Sequence, residues 1–132
     1  MSHLSKISTR IFDVEILKKT LEDLGLTYKS DEKYKDADNN CYDVNLLVFS
    51  DKRFDEPLFG FVYDRNERDY TLVTDMYFWY LDISLDFFME KLHQLYALNV
   101  IIKQTTSDGF QPISTLNKQD GTMQLVVQRW SN

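Results

Sequence analysis

The chain has 132 residues, 43% of them hydrophobic and 27% charged, a composition that excludes wholesale disorder and predicts one soluble domain spanning 1–132. Its net charge of −6, with no cluster of Lys and Arg, argues against nucleic acid or an anionic membrane surface as a direct ligand. One cysteine, Cys41, leaves no intramolecular disulfide, and no apolar run approaches the ~20 residues of a membrane span.

Ser5 to Ile11 reads as a first strand. Asp13 then caps a helix, because its short carboxylate can accept from the free amides of the first turn. Val14, Leu17, Leu21 and Leu24 recur at helical spacing, and Gly25 ends the helix where a positive φ is favoured. Leu26 to Lys29 starts a second strand. The polar stretch Lys29 to Asn40 has no periodicity and predicts a long, mobile loop.

Tyr42 to Phe49 alternates, with Tyr42, Val44, Leu46 and Val48 assigned to one face and Leu47 and Phe49 to the other. Leu58 to Tyr63 and Tyr70 to Asp75 form a hairpin across the charged loop Asp64 to Asp69. Met76 to Leu81 is an aromatic knot holding Tyr77, Phe78, Trp79 and Tyr80. Ser84 is placed at the cap of a helix over 85–108, with the stripe Leu85, Phe88, Met89, Leu92, Leu95 and Tyr96 and a bend or break near Asn99. Gln111 to Leu116 and Thr122 to Trp130 close the chain as a hairpin. The expected fold is α+β: a mainly antiparallel sheet with two principal helices on one face. A faint β-α-β-β echo runs through both halves.

The inventory of reactive groups is thin. His3, His93 and Cys41 lack the spacing of a zinc site, and Cys41 has no basic neighbour to activate it. Asp36, Asp38 and Asn40 mimic the start of a calcium loop, but its glycine and glutamate positions hold Cys41 and Leu47. There is no Gly-rich phosphate loop, and no spaced pair of carboxylates for acid–base work stands out. No catalytic residue, metal or cofactor is therefore assigned.

Apolar residues on both faces of the strands point to a docking surface. Phe49, Phe59, Phe61 and Trp130 are its candidate residues, and another protein is the expected partner. The competing expectation is a small-molecule or pigment pocket lined by Tyr77, Trp79 and Phe88. A third is an enzyme using dispersed carboxylates.

The two ends of the chain, Met1-Ser2-His3-Leu4-Ser5 and Met123-Gln124-Leu125-Val126-Val127-Gln128-Arg129-Trp130, predict a complete reading frame without a leader. Together with Leu21-Glu22-Asp23-Leu24-Gly25, Tyr70-Thr71-Leu72-Val73-Thr74-Asp75, Tyr96-Ala97, Gly109-Phe110 and Asp120-Gly121-Thr122, they carry a resemblance along the whole chain. The chain resembles the hypothetical chloroplast reading frame thirty-five family, encoded in red-algal plastid and cyanobacterial genomes. The resemblance implies residence in the plastid stroma or the cyanobacterial cytoplasm, and a role in assembly or regulation of a plastid complex. It supplies no activity.

Overall fold

A computed structural model describes residues 4–50, 55–117 and 123–129. Its contacts divide the chain into two compact units, Met1–Ser84 and Leu85–Asn132. The class is α+β, as the sequence predicts.

In the first unit, β1 (Leu4–Ser8), β2 (Leu26–Lys35), β3 (Cys41–Ser50), β4 (Pro57–Asp64) and β5 (Asp69–Asp75) form one antiparallel sheet in the order β1-β5-β4-β3-β2. Strand pairing outlasts β1: Thr9 N–H donates to Tyr70 O and Tyr70 N–H to Ile11 O, around Arg10 with φ +60°. The strand expected to run to Ile11 ends instead at Ser8, broken by the left-handed residue Arg10.

Helix α1 (Val14–Asp23) begins as expected. The Asp13 carboxylate accepts from Glu15 N at 3.0 Å and Ile16 N at 3.2 Å. Gly25, at φ +76°, follows its end. The helix packs along β2 and buries Ile16, Leu17, Thr20 and Leu21.

Cross-strand register aligns Ile7, Leu72, Phe61 and Leu46 in one row, and pairs Phe59 with Val48 on the same face. Phe59 and Phe61 meet edge to face, their centroids 5.5 Å apart.

The stretch expected as a loop from Lys29 to Asn40 is the principal correction. Lys29 to Lys35 continues β2, and only Asp36–Asn40 turns the chain before β3. Sequence alternation fails here because this part of the strand is polar on both sides: of residues 29–35 most face water and only Tyr34 is buried.

β3 pairs with β4 only from Leu46 to Phe49, so the distal half of the β2–β3 hairpin has no partner beside it. Asp31, opposite Asn45, adopts φ +56°, and the Asn45 side chain rather than its backbone receives Tyr63 N–H, at 2.8 Å. Beyond this point the hairpin arm folds back over the sheet. Val44 and Tyr34 join Leu47, Phe49 and Val73 in a second core, with Leu4, Tyr42 and Val62 packed against it. Strict alternation would keep Tyr42 and Val44 on the face of Leu46 and Val48; the bend at Asn45 moves them to the other.

The arm can lie this close because residue 60 is glycine. A Cβ there would stand 2.7 Å from Val44 Cγ1.

In the second unit, α2 (Leu85–Ser107) is continuous through Asn99, where a bend or break was expected. It buries Phe88, Met89, Leu92 and Tyr96 and ends before Gly109 at φ +90°. β6 (Phe110–Asn117) and β7 (Met123–Arg129) pair antiparallel, with a shift between Pro112 and Ser114 where proline supplies no amide donor. The β-α-β-β echo survives as order: each helix ends near a left-handed glycine and opens into a hairpin.

Candidate functional site

The tip of the folded arm is fastened to the end of β5 by a compact polar cluster. The Tyr34 hydroxyl, fully buried, accepts from Asp75 N at 2.7 Å. The Asp75 carboxylate, equally buried, accepts from Ala37 N at 2.9 Å and from Tyr77 N at 3.0 Å. Asp36 closes the turn by accepting from Asp38 N, Asn40 N, Asn40 Nδ2 and the Tyr42 hydroxyl.

Burial alone would raise the Asp36 pKa. Hydrogen bonds from Asn40, Tyr42 and Asp38 outweigh it and hold the carboxyl below its ordinary value. Burial pushes the Tyr34 phenol up, partly offset by its bonds to Asp75 and Thr74. Burial and the bond to Asp36 raise Tyr42 as well, keeping it a donor. The pair Asp36 and Asp38, which mimics a calcium loop in sequence, instead serves a turn. Among the described residues no group of three or more His, Cys, Asp and Glu could hold a metal ion.

Folding the arm over the sheet leaves a cleft of about 600 Å³ at its side. Cys41, Tyr42 and Asp43 of the arm form one wall. Lys6, Val62, Tyr63, Asp64, Arg65, Thr71 and Val73 form the floor and far rim. Val73 is buried, Val62 and Tyr42 are half-buried, and Lys6, Arg65 and Cys41 are exposed.

The two rim carboxylates are already engaged. Asp43 lies 3.6 Å from Lys33 Nζ, and Asp64 accepts from Asn66 N and Glu67 N at the β4–β5 turn. Lys6 and Arg65 have no ion-pair partner among the described residues. No sequence signal pointed to this cleft, because its lining comes from four strands and a turn, and the bend of the arm closes it.

A second feature is the aromatic segment after β5. Met76–Phe78 forms a single 3-10 turn whose start is held by Asp75. Trp79 stacks on Phe59 at 5.8 Å and donates Nε1–H to Ile83 O at 2.8 Å. Tyr77 is left 66% exposed, with Met76 and Tyr80 also exposed beside it. Next to the turn is a smaller cleft of about 290 Å³, bordered by Pro57, Phe78 and Tyr80.

The residues expected at a docking surface fare differently. Phe59 and Phe61 are fully buried and Phe49 retains 6% exposure, so these three are interior. The folded arm covers Phe49, and Lys29 Nζ also sits 5.3 Å from its ring centroid. Trp130 and His3 lie outside the described residues. Of the alternative pocket residues, Tyr77 is exposed and Trp79 is spent on Phe59, while Phe88 is a buried residue of the second unit. None of the three lines either cleft described above. His93 is exposed on α2. No helix among the described residues is long and apolar enough to cross a membrane.

Comparison with known proteins returns one family. A family profile described as "Protein of unknown function (DUF1257)" matches residues 20–126. "Uncharacterized protein ycf35" of Pyropia yezoensis is 37% identical over 132 residues, covering 99% of each chain. The protein of the same name from Guillardia theta is 37% identical, covering 98% of each, and that of Cyanophora paradoxa 32%, also covering 98% of each. These relatives are plastid-encoded proteins of algae and of a cyanelle. No solved structure matches the chain.

Proposed function

The chain belongs to the ycf35 family, and since that membership names no activity, we propose from the geometry that it is a non-catalytic module that binds another protein. Its setting is the plastid stroma or the cyanobacterial cytoplasm, and its role is assembly or regulation of a plastid complex. The observation that supports this reading is the turn after β5, where Met76, Tyr77 and Tyr80 are exposed together. Large aromatic side chains in water are enriched at partner interfaces, where one end can be apolar and the other wet.

The turn is also held in place before any partner arrives. Asp75, the Trp79 stack on Phe59 and the bond to Ile83 fix the backbone that carries the exposed rings. A preformed contact loses less conformational entropy on binding.

The test is capture of partners from plastid or cyanobacterial lysate by the immobilised chain and by Tyr77→Ala. A stoichiometric protein captured by the first should be weakened about 30-fold by the second, the effect of losing an interface anchor. The thermal midpoint should fall little, because Tyr77 is 66% exposed. Equal capture by both would overturn the assignment to this turn. Trp130→Ala, the substitution suggested by strand alternation at the chain's end, makes a second arm of the same measurement.

A further inference from the structure

The cleft beside the folded arm carries a separate inference, on different residues from the aromatic turn. We propose that it binds an elongated organic anion: a carboxylate on an apolar body. Its volume of about 600 Å³ lies within the range of small-molecule sites. Its floor is apolar where Val73 and Val62 meet, and the half-buried Tyr42 adds to the wall.

The rim carries two cations and two carboxylates, which differ in their partners. Asp43 lies near Lys33 and Asp64 accepts from the turn amides of Asn66 and Glu67, whereas Lys6 and Arg65 have no ion-pair partner among the described residues. Two cations without an ion-pair partner among the described residues, set at an apolar floor, can each meet a ligand carboxylate, even in a chain of net charge −6.

Register sets the shape of the ligand. Lys6 stands opposite Val73, which pairs with Gly60, while Arg65 follows the Asp64–Asp69 pair at the far end of β4. From Gly60 to Asp64 the strand covers roughly 13 Å at ~3.3 Å per residue, and Arg65 follows in the turn. The body of the ligand therefore lies along β4 over Val62 and Val73, with a cation near each end. A long-chain monocarboxylate would use one of them and an α,ω-dicarboxylate both. Cys41, the single cysteine of the chain, sits exposed on the wall and reports occupancy.

The experiment is calorimetric titration of the full chain with dodecanoate, dodecanedioate and, as an uncharged control, dodecanol. The rate of Cys41 alkylation is followed in parallel. The expected result is saturable binding of one carboxylate per chain, with slowed alkylation of Cys41. Lys6→Glu and Arg65→Glu should each weaken dodecanedioate about tenfold, while only one of them weakens dodecanoate. Both are exposed side chains, so folding is retained, and Val62→Trp, which fills the cleft, should abolish binding. Absence of saturable binding would overturn the proposal. So would binding indifferent to all three substitutions, or dodecanol binding as tightly as the carboxylates.

Discussion

Gly60 is where the second core depends most on a single atom. A methyl group there would lie 2.7 Å from Val44 Cγ1, 3.0 Å from Val44 Cβ and 3.2 Å from Leu46 O, so the folded arm would have to lift. Gly60→Ala is expected to cost about 1–3 kcal/mol in denaturant melts, the usual penalty of overpacking. Adding Val44→Ala should recover part of that loss, and simple additivity of the two would show that the arm does not rest on this glycine. Asp36 makes a prediction in pH. Its folded pKa is held below 3.8, so the unfolded chain takes up the proton first as pH falls. The stability it contributes is complete above about pH 4 and is lost as pH falls through the lowered folded value. Asp36→Asn should therefore be less stable at neutral pH and show a flatter acid limb in thermal midpoints taken between about pH 6 and about pH 2. An unchanged acid limb would mean that other carboxylates carry it.

Among the elements, α1 is the one whose sequence signals all agree. The Asp13 cap and the left-handed Gly25 occur where local chemistry places them, and Leu17 and Leu21 of the stripe are buried with Ile16 and Thr20, while Val14 and Leu24 stay half-buried at its ends. Leu21 lies mid-stripe with no exposure, and Leu21→Ala is expected to cost about 2–5 kcal/mol, measured by urea unfolding. A loss under about 0.5 kcal/mol would place the stripe in solvent. The β2–β3 hairpin is the opposite case. Its outer strand is written in Ser, Asp, Glu and Lys, the vocabulary of a loop, and it becomes a strand through register with β3 and the anchoring of Tyr34. The helix α2 was legible as a helix, whereas the break expected at Asn99 was not needed. Val100, Ile101 and Ile102 favour strand locally, yet the turns on either side continue the hydrogen-bonded ladder.

The whole molecule consists of two compact units, and their sizes suggest how it unfolds. Among its described residues the second unit offers one helix in contact with a two-stranded hairpin, a small core on which to stand alone. We expect the chain to unfold as one domain, with a single calorimetric transition whose van't Hoff and calorimetric enthalpies agree. Two resolved transitions would assign independent stability to each unit.

Local chemistry settled α1, the glycine ends of both helices and the strands of the β4–β5 hairpin, because caps, left-handed glycines and period-two alternation act over a few residues. The resemblance carried by short motifs such as Tyr70–Asp75 settled the family. The fate of the aromatic residues needed the tertiary structure. Phe49, Phe59 and Phe61 read as a spare apolar face, and one long-range event, the folding of the hairpin arm at Asp31 and Asn45, covers Phe49 and draws Val44 across the sheet. That same fold opens the cleft between Cys41–Asp43 and Val62–Arg65. Residues far apart in sequence meet there because β3 runs out of partner at Leu46, and no periodicity within a strand records where its neighbour ends.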